Sequence, residues 1–389
     1  MRSWLVSHIK KMAIPQDSEF RLSPLFIKHF STLKDPRRTG KGNFSYPLNE
    51  ILFLVISSII CGWSEWKEMV YFGNQNLEWL RKFYPYKNGI PSHDTLEHVF
   101  KHLDTKQFNR CFIDWIASIS RQSDGNVIAL DGKTVRGAAS MFGDSKLHIV
   151  SAFCSVNKLC LGQLKVGDKS NEITAIPELL DLISIKGHII TIDAMGCQKE
   201  IAEKIINKEA DYILAVKDNQ PELKEQVKKI FSIQRVEKTH VMEDIDHGRI
   251  EKRTCDMIEN LNFLDDKEDW ASLRTIIRIT SERTIKKTMQ TSVETRYYIS
   301  SLSGVTGKKL NESVRTHWSI ENQLHWSLDV IMREDGQRNW TGNTAENLNM
   351  MNKIALGMLA NEKTQKMSKK LKMKKALLEP DYREIVMNC

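Results

Sequence analysis

Short apolar runs that stop at a polar residue mark the middle of the chain. Residues 127–130 (VIAL) precede Asp131, and residues 189–192 (IITI) precede Asp193. Four β-prone residues followed by Asp and a small residue predict a buried strand that ends at its carboxyl edge. Because ligand and catalytic sites of open α/β sheets gather at that edge, both aspartates are candidate site residues. Either aspartate alone could equally be a turn residue or a helix cap.

Helical patterns dominate the part of the chain before these runs. The predicted helices cover residues 24–33, 48–60, 65–83, 92–102 and 108–120. Ser92 and the segment beginning at Asp104 are typical of helix starts. These helices predict an N-terminal helical domain over residues 21–122, preceded by a flexible arm at residues 1–20. Such a domain serves either as a plain packing module or as a DNA-binding unit, and the pattern leaves both readings open.

Strands and helices alternate in the next hundred residues. The predicted strands are residues 127–130, 148–154, 160–165, 189–192 and 212–216, and the predicted helices are 172–183, 198–208 and 221–231. Three strands followed by a strand–helix alternation favour an α/β fold with a mixed sheet. Asp131 would then follow the first strand and Asp193 the fourth.

The pattern changes again between residues 232 and 303, where short alternating segments predict an all-β insertion. Its predicted strands are residues 236–242, 250–257, 275–281, 290–291 and 296–299. Helical patterns return at residues 308–330 and 342–360. Seven lysines between Lys363 and Lys375 predict a basic C-terminal tail over residues 361–389. This tail is either a solvated segment or a phosphate contact.

Composition narrows the functional classes. The 389 residues carry a formal net charge of +8, which favours a polyanionic partner. Seven scattered cysteines without a CxxC pair disfavour a zinc module and fit reduced thiols in the cytoplasm. No apolar run reaches the roughly 20 residues that span a bilayer, and the N-terminus lacks a signal-peptide core. We therefore expect a cytoplasmic protein without a membrane partner.

A third acidic residue, Glu321, lies beside Trp318 in a predicted helix. Helical spacing places Val314, Trp318, Glu321, His325 and Asp329 roughly on one stripe. A stripe that faces the core excludes Glu unless its charge is paired or bound to metal. Asp329, Glu334 and Asp335 are rival candidates within 14 residues of Glu321. Two strand-end aspartates and a helical glutamate would supply the oxygen ligands of a two-metal phosphoryl-transfer site.

Eight sequence blocks, in one order, resemble a known family. They are residues 35–38 (DPRR), 46–52 (YPLNEIL), 89–95 (GIPSHDT), 129–137 (ALDGKTVRG), 191–198 (TIDAMGCQ), 215–220 (AVKDNQ), 247–251 (HGRIE) and 315–326 (RTHWSIENQLHW). The chain resembles the DDE transposases of bacterial insertion sequences, most closely the H-repeat-associated group found with Rhs elements. The resemblance covers roughly residues 20 to 360.

The resemblance implies a ribonuclease H-like core over residues 123–360 and cut-and-paste DNA chemistry. It implies that Asp131, Asp193 and Glu321 are the catalytic residues and hold two Mg²⁺ or Mn²⁺ ions, with Asp131 bridging both. The implied partners are double-stranded DNA with terminal inverted repeats, target DNA and a second copy of the chain. Binding of the transposon ends would fall to the N-terminal helical domain.

Basic residues near these blocks are candidate DNA contacts. Lys133 and Arg136 follow Asp131, Lys217 follows a predicted strand, and Arg249 and Arg253 share one face of another strand. The wider family has Arg and Lys on either side of its glutamate, where this chain has His317 and Leu328. Arg315, His317 and His325 could substitute for them. For Lys133 and Arg136 the alternative is a solvated surface position. Three tryptophans could stack on a flipped base, and core packing is the alternative for them: Trp318, Trp326 and Trp340.

Three functions remain open on these grounds. The first is an active transposase, and the second is a ribonuclease H-like nuclease that cuts DNA without joining it. The third is an inactive DNA-binding remnant. All three acidic residues stand in uninterrupted blocks, which favours the active enzyme.

Overall fold

The computed structural model describes residues 25–37, 45–120, 124–135, 147–167, 171–246, 248–265, 267–337 and 341–389. The predicted arm at residues 1–20, the predicted contact Arg136 and the predicted stacking residue Trp340 lie outside these ranges. In the remaining chain, helices and one mixed sheet form an α/β fold, as the sequence predicts.

Six helices form the N-terminal part of the described chain. They are α1 (Leu25–Phe30), α2 (Leu48–Ile60), α3 (Trp66–Gln75), α4 (Leu77–Leu80), α5 (His93–His102) and α6 (Thr105–Ile119). Helix α2 is buried along almost its whole length, which explains its continuous apolar run. The predicted starts are confirmed, because the Ser92 side chain accepts a hydrogen bond from the Thr95 N–H and Asp104 accepts one from the Gln107 N–H.

A nine-stranded mixed sheet forms the centre of the molecule. Its strands are β1 (Val127–Val135), β2 (Leu147–Cys154), β3 (Leu159–Lys165), β4 (Ile189–Ile192), β5 (Asp211–Val216), β6 (Lys238–Asp246), β7 (Arg249–Ile258), β8 (Thr275–Ile285) and β9 (Thr291–Ser300). Their order in the sheet is β3-β2-β1-β4-β5-β9-β8-β7-β6. Strands β1, β4 and β5 are parallel to one another, and every other pairing is antiparallel.

The four strands β6 to β9 extend this sheet. Strand β9 pairs with β5 on one side, for example Ile299 with Leu214, and with β8 on the other. The two strands predicted at residues 290–291 and 296–299 are therefore one strand. Its first five residues are exposed and, except for Val293, polar, so their sequence resembles a turn.

Helices cover the sheet and continue its core into the N-terminal part. They are α7 (Glu172–Leu182), α8 (Lys199–Asn207), α9 (Pro221–Ile233), α10 (Gly307–His317) and α11 (Thr344–Asn361). Two π-helical stretches, Ile320–His325 and Ser327–Ile331, follow α10. Helix α11 packs against α2, α5 and α6 and also against β3. One apolar core therefore joins the N-terminal helices to the sheet.

The C-terminal residues differ from the predicted solvated tail. They form α12 (Lys369–Leu378) and α13 (Pro380–Met387), which pack against α2 and α11. Lys372 is buried and pairs with the buried Glu362 at 2.9 Å. Arg383 is also buried, and its guanidinium lies 4.4 Å from the centre of the Trp79 ring. Ion pairing and aromatic stacking compensate for the burial of both charges.

Within the described residues, no helix has both the length and the apolar character that crossing a bilayer would require.

Candidate active site

Asp131 lies inside β1, because this strand continues to Val135 and does not end at residue 130 as predicted, whereas Asp193 directly follows the parallel strand β4. Leu130 and Ile192 are register partners in the β1–β4 pair, so Asp131 and Asp193 lie side by side where the pairing of these two strands ends. Asp193 also caps a short 3₁₀ turn, because its Oδ1 accepts a hydrogen bond of 3.0 Å from the Met195 N–H. Asp193 therefore caps a turn, which was the alternative interpretation of such an aspartate, and it also lies at the edge of the sheet.

A cavity of about 530 Å³ lies at this edge. Asp131, Asp193 and Glu321 all line it, and Lys217 and His317 lie on its walls. Lys217 is exposed to solvent there. The structure thus brings carboxylates from the middle of β1, from the end of β4 and from the π-helical stretch after α10 to the same cavity.

Glu321 lies on a π-helical turn, which the sequence pattern did not predict. In a π-helix the backbone hydrogen bonds join residues i and i+5. Such turns are rare in proteins, and those that occur are often found at functional sites. His325 lies four residues further along the same stretch. Its Nδ1 is 3.4 Å from Asp131 Oδ2 and 3.8 Å from Glu321 Oε2. The ligand atoms of Asp131, Glu321 and His325 all lie within 4.8 Å of one another, and Asp193 is not part of this trio.

The electrostatics of the cluster suit a bound cation. Burial, together with the charges of Glu321 and Asp193, raises the pKa of Asp131 to about 8. Burial and the charge of Glu172 raise the pKa of Asp193, although Lys217 acts in the opposite direction. In the part of the chain that the structure describes, Asp131 Oδ2 is buried without a hydrogen-bond partner. Several carboxylates and an orphaned carboxylate oxygen form a donor set that fits hard divalent ions.

A fourth carboxylate, Glu172, lies near the two aspartates and escaped the sequence analysis. It belongs to the first turn of α7, and its Oε1 is 2.7 Å from His148 Nε2. The other ring nitrogen of His148 is 2.9 Å from the Thr134 hydroxyl. A Cβ atom on Gly132 would lie 2.1 Å from Glu172 Oε1, so any other residue there would displace the Glu172 side chain. The glycine directly after Asp131 was the one sequence signal of this close approach.

Two of the three rival acidic residues share one lysine as their counter-ion. Lys133 Nζ lies 2.5 Å from Asp329 Oδ1 and 2.7 Å from Glu334 Oε2. The Lys133 side chain is 12% exposed and the Glu334 side chain only 1%. The structure thus places Lys133 in an internal ion pair, where it cannot make the phosphate contact expected from the sequence. Asp329 and Glu334 are likewise occupied by this ammonium group.

The two histidines predicted as DNA contacts are both recessed. His317 Nδ1 lies 3.1 Å from the Thr191 hydroxyl, and burial lowers the pKa of His317 to about 4. His325 is 5% exposed, and burial also lowers its pKa. A neutral, recessed imidazole offers no charge to a phosphate, so the structure does not support a phosphate contact for either residue.

A larger groove of about 1090 Å³ adjoins the cavity and shares Glu294, Arg296 and Trp318 with it. Five arginines line this groove: Arg249, Arg253, Arg283, Arg296 and Arg315. The predicted pair Arg249 and Arg253 occupies one face of β7, but Arg249 is exposed while Arg253 is 7% exposed. Burial lowers the pKa of Arg253. Arg253 is thus part of the groove floor, whereas Arg249 is open to solvent.

Other predicted contacts have partners within the chain. Arg315 pairs with Asp244 at 2.5 Å, and the Arg296 guanidinium lies 4.8 Å from the centre of the Trp318 ring. Trp318 and Trp326 are 39% and 52% exposed, so neither is a core residue. The packing alternative for these two tryptophans is therefore not what the structure shows.

Comparisons with known proteins find similarity to transposases over most of the chain. Residues 122–358 match a family model described as Transposase DDE domain, and residues 27–116 match one described as DDE_Tnp_1-associated. The chain is 40% identical to "Putative transposase YncI" of Escherichia coli O157:H7, over 93% of this chain and 94% of that protein. It is 37% identical to "H repeat-associated putative transposase YhhI" of Escherichia coli K12, over 92% and 96% of the two chains.

Proposed function

Since the chain belongs to the DDE transposase family, we propose that it is a Mg²⁺- or Mn²⁺-dependent enzyme that cuts transposon ends and joins them to target DNA. The observation that carries this proposal is the presence of Asp131, Asp193 and Glu321 around one cavity at the edge of the sheet. These three residues would be the catalytic carboxylates.

The strand arrangement supports a ribonuclease H-like core for this enzyme. In the order β3-β2-β1-β4-β5, the first three strands along the chain are antiparallel neighbours and β1, β4 and β5 are parallel. Of the proposed catalytic carboxylates, Asp131 lies within β1 and Asp193 directly follows β4. In this reading β6 to β9 are an insertion between the second and the third acidic residue.

The residues of the site have separable tasks in this reaction. Asp131, Asp193 and Glu321 would hold the divalent ions. When bound, such ions would supply Lewis-acid activation of the attacking water and stabilisation of the leaving 3′ oxygen. Water attacks first and a DNA 3′-hydroxyl attacks later, so the reaction requires no nucleophilic side chain. Lys217, exposed at the cavity wall, is placed to bind a phosphate beside Asp193.

The arginine-lined groove is the proposed path of the DNA toward the cavity. It meets the cavity at Glu294, Arg296 and Trp318. Arginine contacts to phosphates position a duplex without reading its sequence. We assign recognition of the terminal repeats to the N-terminal helices and propose a dimer as the form that holds two ends together.

Neutralising the open arginines of the groove tests its role. The double variant Arg249→Gln/Arg283→Gln should bind duplex DNA more weakly, with a shallower dependence on salt. Each lost phosphate contact removes about 0.9 from the slope of log K against log [salt]. Titrations at several salt concentrations measure this slope. Lys186→Gln, an exposed lysine on the segment before β4 that pairs with Glu209, is the control and should leave the slope unchanged. Equal slopes for both variants would show that the groove does not carry the duplex.

A strand-transfer assay tests the proposed function as a whole. The substrate is a linear duplex that ends in the repeats flanking the coding sequence, and the target is a supercoiled plasmid. With Mg²⁺ or Mn²⁺ we expect cleaved ends and ends joined to the plasmid. Cleavage without joining would indicate a nuclease, and end binding without cleavage would indicate an inactive remnant. Either result would refute the transposase proposal.

A further inference from the structure

We propose that His325 is a nitrogen ligand of the metal site, which makes the site a mixed carboxylate–imidazole centre that prefers Mn²⁺ to Mg²⁺. This inference rests on the proposed function, because it assumes that a divalent ion binds at Asp131. It assigns His325 a different task from the DNA contact expected from its position in the sequence.

The spacing of three atoms carries the inference. His325 Nδ1 lies 3.4 Å from Asp131 Oδ2 and 3.8 Å from Glu321 Oε2. An octahedral ion with bonds of about 2.1 Å holds neighbouring ligand atoms about 3 Å apart and opposite ones about 4.2 Å apart. Both distances from His325 Nδ1 fall between these two values, so His325 has the spacing of a ligand that shares one ion with Asp131 and with Glu321.

The surroundings of His325 point to an ion between these groups. Two carboxylate oxygens face one imidazole nitrogen, so either a proton or a cation must lie between them. Asp131 Oδ2 lies closest to the ring, yet it is buried and accepts no hydrogen bond from any described residue. Its lone pairs thus remain available to a metal ion. Because His325 is 5% exposed, its ring cannot reach a phosphate in the groove.

The π-helical turn holds the imidazole in this position. Glu321 and His325 belong to the same π-helical stretch, and Leu324 beside His325 is buried in the apolar core. The ring is thus fixed by packing before any ion binds, which reduces the cost of ordering the site.

The choice of metal follows from the ligand set. Mg²⁺ is a hard ion that takes oxygen ligands almost exclusively. Mn²⁺ accepts oxygen ligands as readily as Mg²⁺ does, and it has a higher affinity than Mg²⁺ for sites that include an imidazole nitrogen. Replacing one oxygen ligand by Nδ1 therefore favours Mn²⁺.

Pulsed electron paramagnetic resonance of Mn²⁺ bound to the full-length protein tests the ligand directly. We expect modulation from a directly coordinated imidazole ¹⁴N nucleus in the wild-type spectrum. This modulation should disappear in His325→Gln, which should bind Mn²⁺ roughly tenfold or more weakly. His188→Gln is the control: His188 is buried, its Nδ1 lies 2.8 Å from the Lys186 carbonyl oxygen, and its loss should leave the modulation unchanged.

The possible results are distinct. A wild-type spectrum of bound Mn²⁺ without ¹⁴N coupling would overturn the role of His325 and leave the proposed function intact. Because this result needs only the wild-type protein, poor folding of a variant cannot obscure it. Mn²⁺ binding that is unaffected by Asp131→Asn would instead refute the metal site itself.

Competition between the two ions provides a second readout. His325→Asp restores an all-oxygen ligand set, so its Mn²⁺ to Mg²⁺ affinity ratio should fall by about tenfold relative to wild type. An unchanged ratio, measured by isothermal titration, would contradict the proposed origin of the metal preference.

Discussion

Asp131→Asn is expected to abolish DNA cleavage. Asparagine keeps the size and polarity of the side chain but removes the negative charge that holds the divalent ions. A loss of at least about a thousandfold in rate, equal to about 4 kcal/mol of transition-state stabilisation, is expected in a cleavage assay with Mg²⁺ or Mn²⁺. Asp181→Asn, an exposed aspartate on α7 paired with Lys204, is the matched control and should cleave normally.

The same variant should not lose stability in the absence of metal. Burial and neighbouring carboxylates raise the pKa of Asp131 to about 8, so its charged form opposes folding at neutral pH. The folded protein therefore binds this proton more readily than the unfolded chain does. Wild-type stability without metal should rise as the pH falls from about 8 toward 4, and Asp131→Asn should lack this part of the dependence.

Mg²⁺-dependent cleavage by the variant would exclude Asp131 as a metal ligand.

Lys133→Met is expected to destabilise the fold by about 3–5 kcal/mol, because it leaves a buried carboxylate without its counter-ion. The Glu334 side chain is 1% exposed, and Lys133 is its ion-pair partner at 2.7 Å. Asn349 also donates a hydrogen bond to Glu334, but a neutral amide cannot replace the ammonium charge. Chemical denaturation at neutral pH measures the change in the free energy of unfolding.

Two further variants separate the charge effect from packing. The double variant Lys133→Met/Glu334→Gln should recover part of the loss, since the unpaired charge is gone. Lys204→Met breaks the more exposed ion pair with Asp181 and should cost no more than about 1 kcal/mol. A cost of similar size for Lys133→Met would show that the internal ion pair adds no more to stability than a surface pair does.

The sequence predicted the central strands because each is an apolar run bounded by polar residues. The same rule failed at β9, where residues 291–295 are exposed and, except for Val293, polar, although they remain paired with β8. It also failed at the C-terminus. The burial of Lys372 depends on Glu362. The burial of Arg383 depends on Trp79, which lies about 300 residues away from it in the sequence. Helical lysine-rich segments with distant partners are indistinguishable from solvated ones in the sequence.

The candidate site shows the same limit. Asp131 and Asp193 stand out because both follow apolar runs. Glu172 and His148 do not stand out in the sequence. The pairing register of β1 and β2 brings His148 close to Gly132, and the first turn of α7 brings Glu172 there. The π-helical turn that carries Glu321 and His325 is equally hidden, since a shift from i+4 to i+5 hydrogen bonds has no distinctive residue pattern.

Because β9 pairs with β5, the strands β6 to β9 are held at fixed distances from the rest of the sheet. Four strand-to-strand steps separate β7, which carries Arg249, from β4, which ends beside Asp193. At about 4.8 Å for each step, this distance is about 19 Å across the strands. The two residues are also displaced along the strands, because Arg249 is level with the start of β9 and Asp193 with Tyr298, at least seven residues or about 24 Å further along. In the proposed complex the sheet would act as a ruler that sets both components of the distance between a gripped phosphate and the scissile one.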